Sequence, residues 1–209
     1  RYVLRGNSVT AYEEGAEVGS EIVDDPLDFV ARLQNQYRAP KLDELPVFTG
    51  GLVGYFGYEI VQRFEERLRD DDKPDQLDTP DMVLLQSEEV AVFDNLAGRL
   101  YLVVNVDPHR PDAWFAAQRR LDRLVYRLRC GSPGYGEGSV QRDPVDEKDF
   151  THSINRADYI AAVDKCKEYI LAGDIFQVVL SQRMSVPFTA RPLDVYRALR
   201  ALNPSPYMY

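Results

Sequence analysis

Cysteine and histidine are nearly missing from these 209 residues. Only Cys130 and Cys166 occur, and only His109 and His152. Two cysteines make neither a disulfide framework nor a thiolate metal cage, so reduced thiols in a cytoplasmic protein are expected. Two isolated imidazoles likewise exclude a histidine metal cluster and a recognisable catalytic triad. Basic residues are in deficit too: 25 Lys and Arg against 34 Asp and Glu leave a formal charge of −9. Nucleic-acid binding needs clustered cations against phosphate, so that class is excluded. A small anionic substrate would need a positive pocket set within an acidic surface. No apolar run reaches the length of a membrane span, and the opening residues carry no basic-then-apolar export signal. The chain starts at Arg1 without a methionine and stops at Tyr209 just as a new segment begins, which reads as a piece of a longer protein.

What is present suits a folded protein. Apolar residues make up 44%, enough for a packed core in one large or two small domains. Residues 1–23 alternate weakly around Gly6-Asn7-Ser8 and read as short strands. Asp25-Pro26 is a helix start, with Asp25 as cap, and Ala39-Pro40 is its stop. The stretch from Phe48 to Glu59 is rich in glycine and aromatics. It imitates a phosphate cradle, but the spacing Gly51-x-x-Gly54-x-x-Gly57 is wrong and no Lys-Ser/Thr follows. Close backbone approach within an apolar strand is the better reading. Residues 60–69 read as a short helix and Asp70–Asp75 as a solvated charged loop. Strands at Met82–Leu85 and Glu89–Phe93 precede a turn at Asp94–Gly98 and a return strand from Arg99. Pro111–Arg129 has helical spacing at Trp114, Leu121, Leu124, Val125 and Leu128. Its five arginines read as a solvated face.

The glycine-rich, aperiodic run from Cys130 to Lys148 marks a linker. The expected domains are therefore 1–129 and 150–209, joined by 130–149. Beyond the linker, Asn155 caps a helix with Tyr159, Val163, Cys166 and Ile170 on one face, ending at Gly173. From Ile175 to Arg183 apolar and polar residues alternate, which predicts a strand. Phe176, Val178 and Leu180 face a core, while Gln177, Ser181 and Arg183 share the other face. That polar face is either the wall of a pocket or simply half-exposed, and alternation alone favours the second. Arg191-Pro192 opens another helix, stopped by Asn203-Pro204.

Three segments carry a family resemblance. Ala172-Gly173-Asp174-Ile175-Phe176-Gln177-Val178-Val179-Leu180-Ser181-Gln182-Arg183, followed by Asn203-Pro204-Ser205-Pro206-Tyr207-Met208, closely resembles anthranilate synthase component I. The glycine-aromatic stretch 48–58 is similar to a signature of that family's N-terminal domain, and the three motifs keep the family's order. The resemblance implies an α+β fold, a layered antiparallel β-sheet sandwich with flanking helices, here incomplete. It implies the reaction of chorismate with ammonia to anthranilate and pyruvate in tryptophan biosynthesis, with Mg²⁺ required. Ammonia would come from a glutamine amidotransferase subunit, and L-tryptophan would act as feedback inhibitor.

Gln177 joins that resemblance to chemistry. Related water-adding enzymes carry a lysine at the matching position. A lysine amine can take a proton from water, whereas an amide cannot titrate in the usable range. Ammonia already has a nucleophilic lone pair, so Gln177 fits the amine-adding branch, as a wall of the active site in place of a lysine base. That branch includes aminodeoxychorismate synthase as an alternative. Pro206, Tyr207 and Met208 resemble part of the tryptophan site of anthranilate synthase, and their residue types suit an indole ring. On the residues alone, Tyr207 and Met208 read as core positions starting a strand. Leu84-Leu85-Gln86-Ser87 imitates another tryptophan-site segment in spelling but sits on the wrong side of the glycine-aromatic stretch. The Mg²⁺ ligands would lie outside this chain, so it is expected to be inactive alone. A non-catalytic tryptophan-sensing or subunit-binding module is the remaining alternative. Unpaired strand edges predict poor solubility.

Overall fold

A computed structural model describes residues 1–69, 75–131 and 145–209. The aspartate run beginning at Asp70 and most of the expected linker lie outside the described residues. The chain divides into two compact units, Arg1–Gly131 and Ser132–Tyr209.

Turn chemistry sets up the first unit. Strands β1 (Tyr2–Arg5), β2 (Ser8–Glu13) and β3 (Ala16–Ile22) form a meander. The β2–β3 turn is Glu14-Gly15, both with positive φ (49° and 89°), the geometry that matches the twist of a two-residue hairpin. Helix α1 (Pro26–Gln36) follows as expected, with the Asp25 side chain accepting from the Leu27 amide at 2.8 Å. It stops at Gln36, three residues before Ala39-Pro40. Strands β4 (Gly51–Phe56) and β5 (Met82–Ser87) complete an antiparallel sheet in the order β3-β2-β1-β5-β4. Register puts Leu4 opposite Val9 and Met82, and Tyr2 opposite Leu84, on one face. Phe29 and Leu33 of α1 close over that face together with Val23 and Ile60. Leu4 and Met82 have no exposed surface at all.

The glycine-aromatic stretch is β4 and its approaches, and the close-approach reading explains its glycines. A Cβ on Gly54 would be driven into the Val83 carbonyl of β5. One on Gly50, whose φ is 138°, would lie 2.7 Å from the Ser87 carbonyl oxygen. Residues 58–68 form two 3₁₀ turns, Tyr58–Arg63 and Glu66–Leu68, in place of the expected helix. The segment is tied at several points. The Gly57 amide donates to the Asp81 carbonyl, and Arg63 donates to Asn7 Oδ1 and the Gly6 carbonyl. Short tethered connections favour such tight turns.

Strands β6 (Glu89–Asp94) and β7 (Arg99–Val104) form the expected hairpin. Helix α2 (Ala113–Cys130) packs on β7 and buries Ala117. Two members of its expected apolar stripe, Trp114 and Leu128, are exposed instead.

In the second unit, α3 (Arg156–Ala172) starts on Asn155, whose Oδ1 accepts from the Asp158 amide at 2.9 Å. It ends on Gly173 at φ 83°, with the Asp174 amide reaching back to the Tyr169 carbonyl. Two-residue strands β8 (Thr151–His152) and β9 (Met184–Ser185) pair, and α4 (Pro192–Leu202) closes the described structure. The strand predicted at 175–183 is not formed, and this corrects the alternation reading. Phe176 is 93% exposed and Val178 is exposed, so their face covers no core. A strand exists through its ladder, and no described strand offers 175–183 the hydrogen bonds it would need. The class is α+β with every sheet pairing antiparallel, as expected.

Candidate functional site

The segment from Gly173 to Arg183 is held at both ends and open between. At its start, Gly173 donates to the Ile170 and Tyr169 carbonyls, which turns the chain off α3. At its end, the Ser153 amide donates to the Arg183 carbonyl at 2.9 Å, and the Arg183 amide donates to Ser153 Oγ at 3.1 Å. Gln182 adds a further clamp. Its Nε2 lies 2.8 Å from His152 Nδ1 and donates to the Ile154 carbonyl at 2.9 Å. Gln177 stands midway, its side chain exposed, between the exposed Phe176 and Val178. An amide placed so has both its donors and its acceptor available to a ligand.

Pro206, Tyr207 and Met208 follow the end of α4. Tyr207 is 86% exposed, and Met208 is half-buried, its carbonyl accepting from the Tyr196 hydroxyl at 3.3 Å. No hydrogen bond or ring contact joins them to Gln177 among the described residues. The unit thus places the expected residues on two separate exposed segments and does not assemble them into one pocket. Among the described residues, no group of three or more His, Cys, Asp or Glu side chains could hold a metal ion. The described residues therefore do not fit a Mg²⁺ site.

Two clusters are not visible in the local sequence pattern. Gln182 with His152 is the first; alternation puts Gln182 on the apolar face with Phe176, Val178 and Leu180, opposite Gln177, and only the return to β8 reveals its role. Arg120 is the second. It is 27% exposed, donates through Nε to Glu89 at 2.6 Å and through Nη2 to Glu88 at 3.3 Å, and caps the Asn105 carbonyl. The hydrogen bond to Glu89 is the main reason its guanidinium holds its proton more tightly than usual. Asn105 in turn donates to the Thr49 carbonyl at 2.7 Å, beside Gly50. Expected as a solvated arginine, Arg120 instead ties α2 and the β6–β7 hairpin to the glycine-aromatic stretch. Elsewhere in the first unit a hollow of about 230 Å³ opens between β1–β3 and α1, lined by Tyr2, Ala11, Gly19, Glu21 and Phe29. It contains none of the expected site residues. Burial is the main cause that pushes the Tyr2 phenol above its usual value, with Tyr37 and Glu88 adding to it.

Comparison with known proteins gives this arrangement a context. The chain is 46% identical over its full length to anthranilate synthase component 1 of Pseudomonas putida, and spans 43% of that protein. It is 45% identical over 98% of its length to anthranilate synthase component 1 of Neisseria gonorrhoeae, and spans 41% of it. The crystal structure of anthranilate synthase component I from Streptococcus pneumoniae TIGR4 superposes with a TM-score of 0.74 at 29% identity. That match covers all of this chain and 46% of the other. The chain therefore spans less than half the length of these relatives. Residues 6–209 match the family described as chorismate binding enzyme, and to that family the chain belongs.

Proposed function

We propose that the chain is part of an anthranilate synthase component 1, an enzyme converting chorismate and ammonia to anthranilate and pyruvate. The observation that carries this reading is identity of 45% and 46%, across essentially the whole chain, to two proteins of that name. Residues 150–209 would open the chorismate-binding domain, after an N-terminal domain of 1–129. Gln177 would line the active site and hydrogen-bond substrate or ammonia without acting as a base, because its amide does not titrate in the working range. Pro206, Tyr207 and Met208 would form part of a tryptophan feedback site. Its ammonia would come from an amidotransferase subunit, the second component that the relatives' name implies. Mg²⁺ would be bound by residues beyond those described, and the setting would be the cytoplasm.

A chimera tests the reading. This chain replaces the matched part of the Pseudomonas putida relative, and the purified product receives chorismate, ammonium and Mg²⁺. Anthranilate, followed by its fluorescence, is the expected product, and the 209-residue chain alone is expected to yield none. A folded chimera releasing isochorismate would remove the argument from Gln177. Release of aminodeoxychorismate would move the chain to the folate-type branch. Tryptophan inhibition that survives Tyr207→Ala and Met208→Ala would remove those residues from the feedback site.

A further inference from the structure

The segment from Gly173 to Arg183 runs back along helix α3. Gly173 turns the chain off the C-terminal end of that helix. Gln182 and Arg183 are bound to Ile154 and Ser153, just ahead of its N-terminal cap Asn155. From Asn155 to Gly173 the helix measures about 27 Å, at about 1.5 Å per residue. The chain from Gly173 to Arg183 reaches at most about 33 to 36 Å when fully extended. The return path has little slack, so the segment runs extended although no described strand pairs with it. Gln177 stands at its middle, and the grip on the two ends governs where.

The two grips differ in kind. At Gly173 the hold is backbone alone, through a positive φ of 83°. At the far end it depends on the Gln182 side chain. The Ile154 carbonyl can only accept, so the amide terminus 2.9 Å from it is the nitrogen. The same nitrogen lies 2.8 Å from His152 Nδ1 and has a second hydrogen to give. His152 Nδ1 is therefore the bare ring nitrogen, with the imidazole proton on Nε2. Gln182 thus joins β8 to the residue ahead of the α3 cap. All these groups belong to the second unit, so the grip does not depend on what covers its surface. Alternation puts Gln182 and Gln177 on opposite faces, so holding the first leaves the second open to a ligand. We propose that Gln182 is a positioning residue: by bridging His152 and the Ile154 carbonyl, it fixes where the Gln177 amide meets substrate or ammonia. This role rests on the reading of Gln177 as a wall of the active site.

Two substitutions separate the grip from mere bulk. Gln182→Met keeps the side-chain length and removes both donors, whereas Gln182→Lys restores donors of similar reach. The grip itself is read by ring ¹⁵N NMR on the 209-residue chain. With only two histidines, His109→Gln assigns the signals. Nδ1 of His152 is expected as the unprotonated, accepting nitrogen, moving toward free imidazole in Gln182→Met and back in Gln182→Lys. Spectra that are the same in parent and Gln182→Met overturn the grip. The role is read in the chimera with the Pseudomonas putida relative, which carries the whole chain. There Gln182→Met is expected to lower kcat about tenfold or more, because small misplacements of a reacting group cost that much. Gln182→Lys is expected to recover most of the loss. In a Gln177→Ala background, Gln182→Met should cost less than about twofold, since it acts through an amide already removed. Full activity in Gln182→Met, equal loss in the Met and Lys variants, or losses that simply add with Gln177→Ala would each overturn the positioning role. A folded, unmodified chimera that forms no anthranilate removes the proposed function and this role with it, while the histidine spectra still judge the grip separately.

Discussion

The first and second units begin from local signals of equal clarity and end with very different interiors. Asp25 and Asn155 both cap helices through the side chain, and Gly15 and Gly173 both take the positive φ their turns need. Yet Leu4, Val9, Phe29, Leu33, Met82 and Leu84 are buried together in the first unit, while no described side chain of the second is buried. There Leu171, Phe176 and Leu202 are 82–93% exposed. The difference lies in the sheet. Five paired strands give the first unit a plane that a single amphipathic helix can cover. Among its described residues the second has two α-helices and a two-residue pairing, which leave its apolar residues half-buried at most. Caps and turns decide where an element begins and ends, but burial of an apolar face supplies most of its stability.

Gly54→Ala should break that contrast most strongly, because the added Cβ collides with the Val83 carbonyl at the centre of the β4–β5 pairing. The expected cost is on the order of 4 kcal/mol, read as loss of the first unit's urea transition. A variant within about 1 kcal/mol of the parent would show that β4 is not held as described. Leu4→Ala should follow, at about 3 kcal/mol for a fully buried leucine. Its counterpart Phe176→Ala should change stability by less than about 0.5 kcal/mol, since that ring is already in water. Hydrogen exchange reads the same contrast directly, with slow amides expected in β1 and β5 and fast ones in α3. Slow exchange in α3 would mean the second unit has a stabilising surface its own residues do not reveal. Arg120→Ala ranks next, at about 1 kcal/mol given its partial exposure, and the loss should shrink in high salt.

Legibility in the sequence divides along the same line. Helices α1, α3 and α4 announce themselves through Asp25-Pro26, Asn155, Gly173 and Arg191-Pro192, all local features that act within one turn. The β6–β7 hairpin is local too, with Asp94 Oδ1 accepting from the Leu96 and Ala97 amides in the turn. The segment 175–183 has an equally clean alternation but needs a neighbouring strand, and alternation says nothing about whether one is present. The candidate site suffers from the same gap. Gln177 and Tyr207 are candidates through residue type and motif order alone, and their surroundings depend on residues distant in sequence. Arg120 was misread because its partners Glu88 and Glu89 lie more than 30 residues away, outside any helical-face pattern.

The smallest expected effect sharpens the comparison through pH. Tyr2 lies over the first unit's core, its ring edge-on to Phe29 at 5.5 Å and its hydroxyl donating to Gln86 Oε1 at 3.0 Å. Burial, then Tyr37 and Glu88, raise the pKa of this phenol in the folded chain. The unfolded phenol loses its proton near pH 10 or so, while the folded one still holds it. Above that point the unfolded state binds fewer protons than the folded state, so stability falls as pH rises. The contribution is complete below the unfolded value and disappears as pH passes through the raised one. Tyr2→Phe removes both the titration and one hydrogen bond, at a cost of about 0.5 kcal/mol at neutral pH. The gap between the urea midpoints of parent and variant should therefore narrow between pH 9 and 11 or so, and a gap that stays constant would place Tyr2 in water instead of over the core.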